Sequence, residues 1–417
     1  MYKKYELNNC NLYLIKMNKF KTISMSVNFR RENTKGDEVY RHLLKEVILL
    51  ATNKYHDLDK LSIARLEIYD PHVSVGAIAS GKERWIYIES VFANEKYTEK
   101  GMNDKTIKFI LDYFWNPYIV DGGFAPEVFN ICKHEYIEDL KSIKDNPDRY
   151  IKDKIWEEMD IMPFDEGKIE DCIALTQKIT PQDLYNYYQS IFEKDALDIF
   201  IAGDFDEKEM VNTIKPLIKG DFKKHYKNRL IEQTSHRDKI KEIIEEVPNE
   251  QSKLAVGLKQ YNLTEFERKY SSLAYINLLG GGWNSKLNKT VREKNSMCYY
   301  IYATRQMTFN VGFIYSGIAA SNYEKVLDLI KEEMEKIKKG QITEEELNVV
   351  KDTYTNALIN IEDNQMDVVD NIISEVFSDT DAVPDRIKNM SKVTIDDIKN
   401  VAKKIEIDTI YLLKGEE

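Results

Sequence analysis

The sequence predicts an α+β fold of two homologous domains, each a mostly antiparallel sheet packed on one face by helices. Three observations predict it. Strand-like and helix-like segments follow one another in the same order in the two halves of the 417-residue chain. Asn130, Lys133, Tyr136, Leu140, Ile143, Asp145 and Asn146 recur 218 positions later as Asn348, Lys351, Tyr354, Leu358, Ile361, Asp363 and Asn364. Lys178-Ile179-Thr180-Pro181-Gln182-Asp183-Leu184 recurs 214 positions later as Lys392-Val393-Thr394-Ile395-Asp396-Asp397-Ile398. Two matches in the same order, at similar offsets, mark an ancient duplication. Amphipathic helices and half-buried strands each have one apolar side to cover, so they pack in layers.

In the first half, Thr22 to Phe29 alternates and is rich in β-branched residues, as a strand requires. Glu38 to Thr52 has helical apolar spacing. Leu61 to Tyr69 is a second helix, stopped at Asp70-Pro71. His72 to Ser80 and Trp85 to Ala93 alternate with period two around Ser80-Gly81-Lys82-Glu83, a hairpin. Helices follow over Asp104 to Trp115, Pro126 to Ile143 and Pro147 to Met159. Thr180 caps a helix that has Pro181 in its first position and runs to Phe192. Leu197 to Ala202 is a strand. From about Gly220 to Glu250 the chain is charged and aperiodic, as in a linker. The division is therefore residues 1–220, a linker over 221–250, and a second domain over 251–417.

The second half repeats the plan. Lys253 to Gln260 is a strand and Glu265 to Leu279 a helix. Met297 to Thr304 and Val311 to Ala319 form a hairpin. Helices run over Tyr323 to Lys339, Thr343 to Ile361 and Asp363 to Phe377. Thr394 to Lys404 is a capped helix, and Asp408 to Leu413 is the last strand.

Composition narrows the function. A net charge of −11 argues against a nucleic-acid partner. The basic runs Lys223-Lys224 and Lys403-Lys404 are short. Apolar runs are too brief to span a bilayer, so no membrane partner is expected. Cys10, Cys132, Cys172 and Cys298 show no metal or disulfide spacing and read as free thiols of a reducing, cytoplasmic setting. His56, His72, His225 and His236 lack ligand-spaced partners.

The most informative stretch is Gly280-Gly281-Gly282-Trp283-Asn284-Ser285-Lys286-Leu287, continuing through Val291-Arg292-Glu293-Lys294 to Tyr299-Tyr300. Three glycines after an apolar helix allow a sharp turn and close backbone approach. Arg292 and Tyr299 lie seven residues apart across a helix-to-strand junction. Such a junction can aim a guanidinium and a phenol at one point, where they would stabilise a carbonyl gaining negative charge. The plainer reading makes Arg292 a surface ion-pair residue and Tyr299 a core residue.

These residues resemble the C-terminal half of the insulinase/pitrilysin-type metallopeptidases, the group that includes the mitochondrial processing peptidases. The internal duplication extends the resemblance over nearly the whole chain. In that family an Arg and a Tyr seven apart hold the substrate carbonyl against a zinc site in the N-terminal half of the same or a partner chain. The resemblance implies Arg292 and Tyr299 as the catalytic pair, with Gly280, Gly281 and Gly282 letting peptide or partner backbone come close.

Active members carry His-x-x-Glu-His on the first long helix. There two histidines at i and i+4 hold zinc and the glutamate is the general base. Aligned on Thr52-Asn53-Lys54-Tyr55, this chain reads His42-Leu43-Leu44-Lys45-Glu46. Lys45 stands in place of the base and Glu46 in place of the second histidine. A charged ammonium cannot take a proton from a metal-bound water, and it repels a dication. The third ligand would fall near Glu138 or Asp139. No metal or other cofactor is therefore expected on this chain.

In part of the family the work is divided between a zinc-bearing chain and a partner that retains the Arg/Tyr pair. The resemblance implies the second role: the substrate-binding, transition-state-stabilising subunit of a heterodimeric zinc peptidase, not a peptidase by itself. Its partners would be a zinc-bearing paralogue, which holds the zinc, and a peptide substrate. One alternative is a non-proteolytic peptide-binding or scaffold protein. Another is an autonomous metalloenzyme using His42, Glu46 and an acidic residue of the later helix.

Overall fold

The computed structural model describes residues 2–7, 9–161, 168–223, 230–248, 251–378 and 380–416. Lys224, His225 and Glu250, named above, lie outside the described residues. In chain order the first elements are β1 (Tyr2–Leu7), β2 (Cys10–Lys16), β3 (Thr22–Glu32), α1 (Asp37–Leu50), α2 (Leu58–Leu66), β4 (His72–Ser80), β5 (Glu83–Ala93) and α3 (Met102–Trp115). Then come the two-residue strands β6 (Ile119–Val120) and β7 (Gly123–Phe124), α4 (Pro126–Ser142), α5 (Pro147–Met159), α6 (Ile169–Lys178), α7 (Pro181–Lys194), β8 (Ala196–Gly203) and α8 (Glu207–Ile214). The second half holds β9 (Lys241–Glu246), β10 (Ser252–Gln260), α9 (Ser272–Gly280), β11 (Cys298–Gln306), β12 (Val311–Ile318), α10 (Tyr323–Lys338) and α11 (Glu344–Asn360). It closes with α12 (Gln365–Phe377), α13 (Val383–Ser391), α14 (Ile395–Ala402) and β13 (Ile405–Lys414).

The chain forms two compact units. The first comprises Met1–Lys141, Phe164–Arg229 and Ile361–Asp379; the second comprises Ser142–Pro163, Leu230–Asn360 and Thr380–Glu417. The first unit has a six-stranded sheet in the order β1-β2-β8-β3-β5-β4, and the second a five-stranded sheet in the order β11-β12-β10-β13-β9. Read in reverse, the second order reproduces the first strand by strand, β1 aside. β2 pairs with β8 in parallel, and so does β9 with β13; the other neighbours are antiparallel. The fold is thus α+β and twice repeated.

The repeat holds at single bonds. Thr180 and Thr394 each close a capping box, with Asp183 and Asp397 as the third helical residue. Asn146 caps α5 and Asn364 caps α12. Lys133 donates to the carbonyl of Gln177 at 2.8 Å, and its counterpart Lys351 donates to that of Ser391 at 3.0 Å. These lysines are retained positions of the repeat because each satisfies a carbonyl left at a helix end.

Each sheet buries one face under its own half's helices. In the second unit Leu254, Val256 and Leu258 of β10 join Ala274, Leu278, Val326, Ile330, Ile398 and Val401 in one apolar core. The opposite face of each sheet carries one helix from the other half of the chain. α5 lies on the Gly257 face of β10, where a β-carbon at Gly257 would sit 2.2 Å from the sulfur of Met159. In the first unit α12 brings Val369, Ile372, Ile373 and Phe377 onto Tyr13, Ile15, Trp85, Phe200 and Ala202. Chain order alone does not reveal this exchange, since both helices read as members of their own halves.

Some local expectations change. Lys241–Glu246, inside the segment read as a linker, is strand β9. It is the counterpart of β2, and its charged residues hide the strand pattern because it lies at a sheet edge. The helix expected over Leu61 to Tyr69 starts earlier, at the Asp57 cap, and stops at Leu66. Tyr69 and Asp70 both have left-handed backbone, with φ of 65° and 46°. The expectations above also lack β1, β2, α6, α8 and α13.

Candidate functional site

The helix-to-strand junction of the second unit is built from two backbone irregularities. After α9 the chain turns at Gly280 to Gly282, then winds through a π-helical segment over Asn288–Lys294 before β11 begins. Leu287 and Val291 are fully buried and anchor this segment to the core. Extra-wide turns of this type re-space side chains along a helix, and Arg292 sits within one. Ser296 adopts left-handed backbone with φ 53° and turns the chain into the strand. The second irregularity is in β11. Cys298 pairs with Ile318 and Tyr300 with Gly317, so Tyr299 is the extra, unpaired residue of a bulge. Bulges re-aim side chains away from the regular pleat.

The consequence is that neither group is buried in the core. Tyr299 is 69% exposed. Arg292 is half-buried and its guanidinium lies 4.6 Å from the ring centre of Trp283, itself 69% exposed. Among the described residues Arg292 forms no ion pair and Tyr299 makes no side-chain hydrogen bond. The reading of Arg292 as an ion-paired surface residue and Tyr299 as a core residue therefore fails. Burial pushes the Cys298 thiol pKa up, and the Arg292 charge is near enough to pull it back in part. That places the guanidinium within electrostatic reach of the Cys298 thiol at the start of β11.

The glycines divide. Gly280 is buried against β11, and a β-carbon there would lie 2.5 Å from the Ala303 nitrogen. Its close approach is to its own chain. Gly281 and Gly282 are exposed, and a β-carbon on Gly282 would meet nothing within 4 Å. The guanidinium of Arg305 on β11 clasps the preceding helix by donating to the carbonyls of Arg268 and Lys269, the latter at 3.2 Å.

The other half of the expected chemistry lies on α1. His42 is half-buried and stacks on Tyr136 of α4, with ring centres 5.1 Å apart and planes 9° from parallel. Burial and the Lys45 charge push its pKa down, and its Nδ1 has no hydrogen-bond partner. Lys45 pairs with Glu46 at 3.2 Å, and Glu138 with Lys141 at 2.8 Å. Among the described residues no group of three or more His, Cys, Asp or Glu side chains is placed to hold a metal ion. An ammonium in the place of the general base, ion-paired to the residue in the place of the second ligand, does not fit a zinc ion.

Trp283 received no role from the sequence, although a tryptophan directly after three glycines, outside any apolar periodicity, was a signal of exposure. The Arg292–Trp283 contact contributes about 0.5–1 kcal/mol at an exposed site. Such a gain is too small to explain a tryptophan there by stability.

The sequence pattern described as the peptidase M16 inactive domain matches residues 178–354. The chain is 27% identical over 416 residues to a Bacillus subtilis protein named "Probable inactive metalloprotease YmfF", covering 97% of this chain and 96% of that one. A solved structure of a conserved protein from Enterococcus faecalis superposes with a TM-score of 0.87 at 25% identity, covering 100% of this chain and 99% of that one. A peptidase M16 inactive domain from Pseudomonas fluorescens superposes with a TM-score of 0.79 at 14% identity, over 100% and 98% of the two chains, and shares the fold. With the degenerate metal helix and the duplicated α+β architecture, these likenesses make the chain similar to the inactive members of the M16, or insulinase/pitrilysin-type, peptidases.

Proposed function

We propose that this chain is the non-zinc subunit of a heterodimeric peptidase. In this reading Arg292 and Tyr299 hold the scissile carbonyl of a peptide while a zinc-bearing paralogue supplies the attacking water. The observation that carries it is the exposed Tyr299 and the half-buried Arg292 on irregular backbone, with no ion pair at Arg292 and no hydrogen bond at Tyr299 among the described residues. Donors that are unspent in the folded chain are available to a ligand. A cytoplasmic location accompanies the proposal and is supported by the four free thiols. Among the described residues no helix is long and apolar enough to cross a membrane.

The test is co-expression with a zinc-bearing paralogue and assay of peptide hydrolysis. Arg292→Ala or Tyr299→Phe lowers kcat by about 10²-fold, the scale of one oxyanion donor. Unchanged turnover in both variants removes the proposal. The second reading, a peptide-binding or scaffold protein without proteolysis, is favoured by the exposed Trp283 ring and appears in the same experiment as peptide binding with no turnover.

A further inference from the structure

We propose that Trp283 is the specificity-determining residue of this site: one face of its ring positions the Arg292 guanidinium, and the rest receives an aromatic side chain of the bound peptide beside the held carbonyl. The inference rests on the reading of Arg292 as a carbonyl clamp.

Four tryptophans occur in the chain. Trp85 packs edge-on against Phe377 with centroids 4.9 Å apart, and Trp156 lies between Phe309 and Phe313 at 5.1 and 5.0 Å. Trp115 is buried beside Phe29 and Phe114. Trp283 alone among them is exposed, at 69%, and its contact with an aromatic or charged ring partner is with Arg292. Its neighbours Gly281 and Gly282 are exposed and carry no side chain to cover it. The segment is nevertheless held in place. The Ser285 hydroxyl donates to the Gly282 carbonyl at 2.6 Å, Lys286 pairs with Glu346 at 2.8 Å, and Leu287 is fully buried.

A large apolar ring held outward on an anchored turn, next to a cation with no ion pair among the described residues, presents two kinds of recognition at once. The guanidinium takes a carbonyl oxygen, and the indole takes a flat apolar group by stacking or edge contact. A peptide bond flanked by an aromatic residue supplies both. Tyr299, the bulge residue of the strand that follows, is a second exposed aromatic of this junction.

The test is calorimetric titration of the purified chain with two unlabelled peptides, hexa-alanine and the same peptide with one central phenylalanine. The phenylalanine peptide binds the unaltered chain about 5-fold more tightly, the scale of one aromatic pair. Trp283→Ala abolishes that preference, and Trp283→Phe restores most of it. Arg292→Ala weakens both peptides alike and leaves the preference standing. A preference that survives Trp283→Ala overturns this inference and leaves the Arg292 reading intact. Arg292→Ala without effect on either peptide, or no binding of either peptide to the unaltered chain, overturns both.

Discussion

Arg292 is a guanidinium held at one point of a π-helical segment, and its value lies in its fork of donors. Lysine would bring a single point charge on a flexible stem. Under the proposed function, Arg292→Lys assayed with a zinc-bearing paralogue is therefore expected to recover little of the turnover lost in Arg292→Ala, as read from kcat at saturating peptide. Gly280 has a different role. A methyl group there meets the Ala303 backbone at 2.5 Å, so Gly280→Ala is expected to destabilise the second unit by about 1–3 kcal/mol in urea unfolding, the cost of overpacking. Tyr136 joins α4 to α1 through the His42 ring. It is buried, and Tyr136→Ala is expected to cost about 3 kcal/mol by the same measurement. A change under 0.5 kcal/mol would show that the stack carries no weight.

At the scale of elements, the contact of β5 with α12 is sensitive to pH. Glu89 of β5 is pushed up to about 7 by burial and by Asp370 of α12, whose own pKa burial also raises. A carboxyl whose folded pKa is raised favours folding when protonated. Its penalty therefore appears as pH rises above the ordinary carboxyl range near 4.5 and is complete above about 7. Thermal stability is expected to fall between pH 5 and pH 8, and Glu89→Gln to flatten that fall; an equal fall in the variant removes Glu89 as its cause. The capping boxes give an internal comparison. Thr180→Ala and Thr394→Ala remove the same pair of hydrogen bonds at equivalent places, and each is expected to cost about 1 kcal/mol.

At the scale of the molecule, the exchanged helices decide what can fold alone. Residues 1–220 lack α12, and with it Val369, Ile372, Ile373 and Phe377, which cover Tyr13, Ile15, Trp85 and Phe200. That fragment is expected to expose apolar surface and bind a hydrophobic dye until a peptide of residues 361–379 is added. Dye binding unchanged by the peptide would count against α12 as part of the first unit. Much of this architecture was legible beforehand because local physics carried it. The capped helices at Thr180 and Thr394, the hairpin of β4 and β5, and the repeat from Asn130 to Asn364 depend on neighbours a few residues apart, and so did the substitution of Lys45 and Glu46 into the metal motif. The strands β2 and β9 were not legible: one is buried along most of its length and lacks a period-two alternation, the other is a charged edge strand, and each gains its conformation from the parallel neighbour it meets. The exchange of α5 and α12, the bulge that turns Tyr299 outward and the seat of Trp283 under Arg292 are likewise products of tertiary structure. Which sheet a helix covers is set by packing against strands distant in the chain, and which residue a strand leaves unpaired is set by its register with the neighbouring strand; no local pattern records either choice.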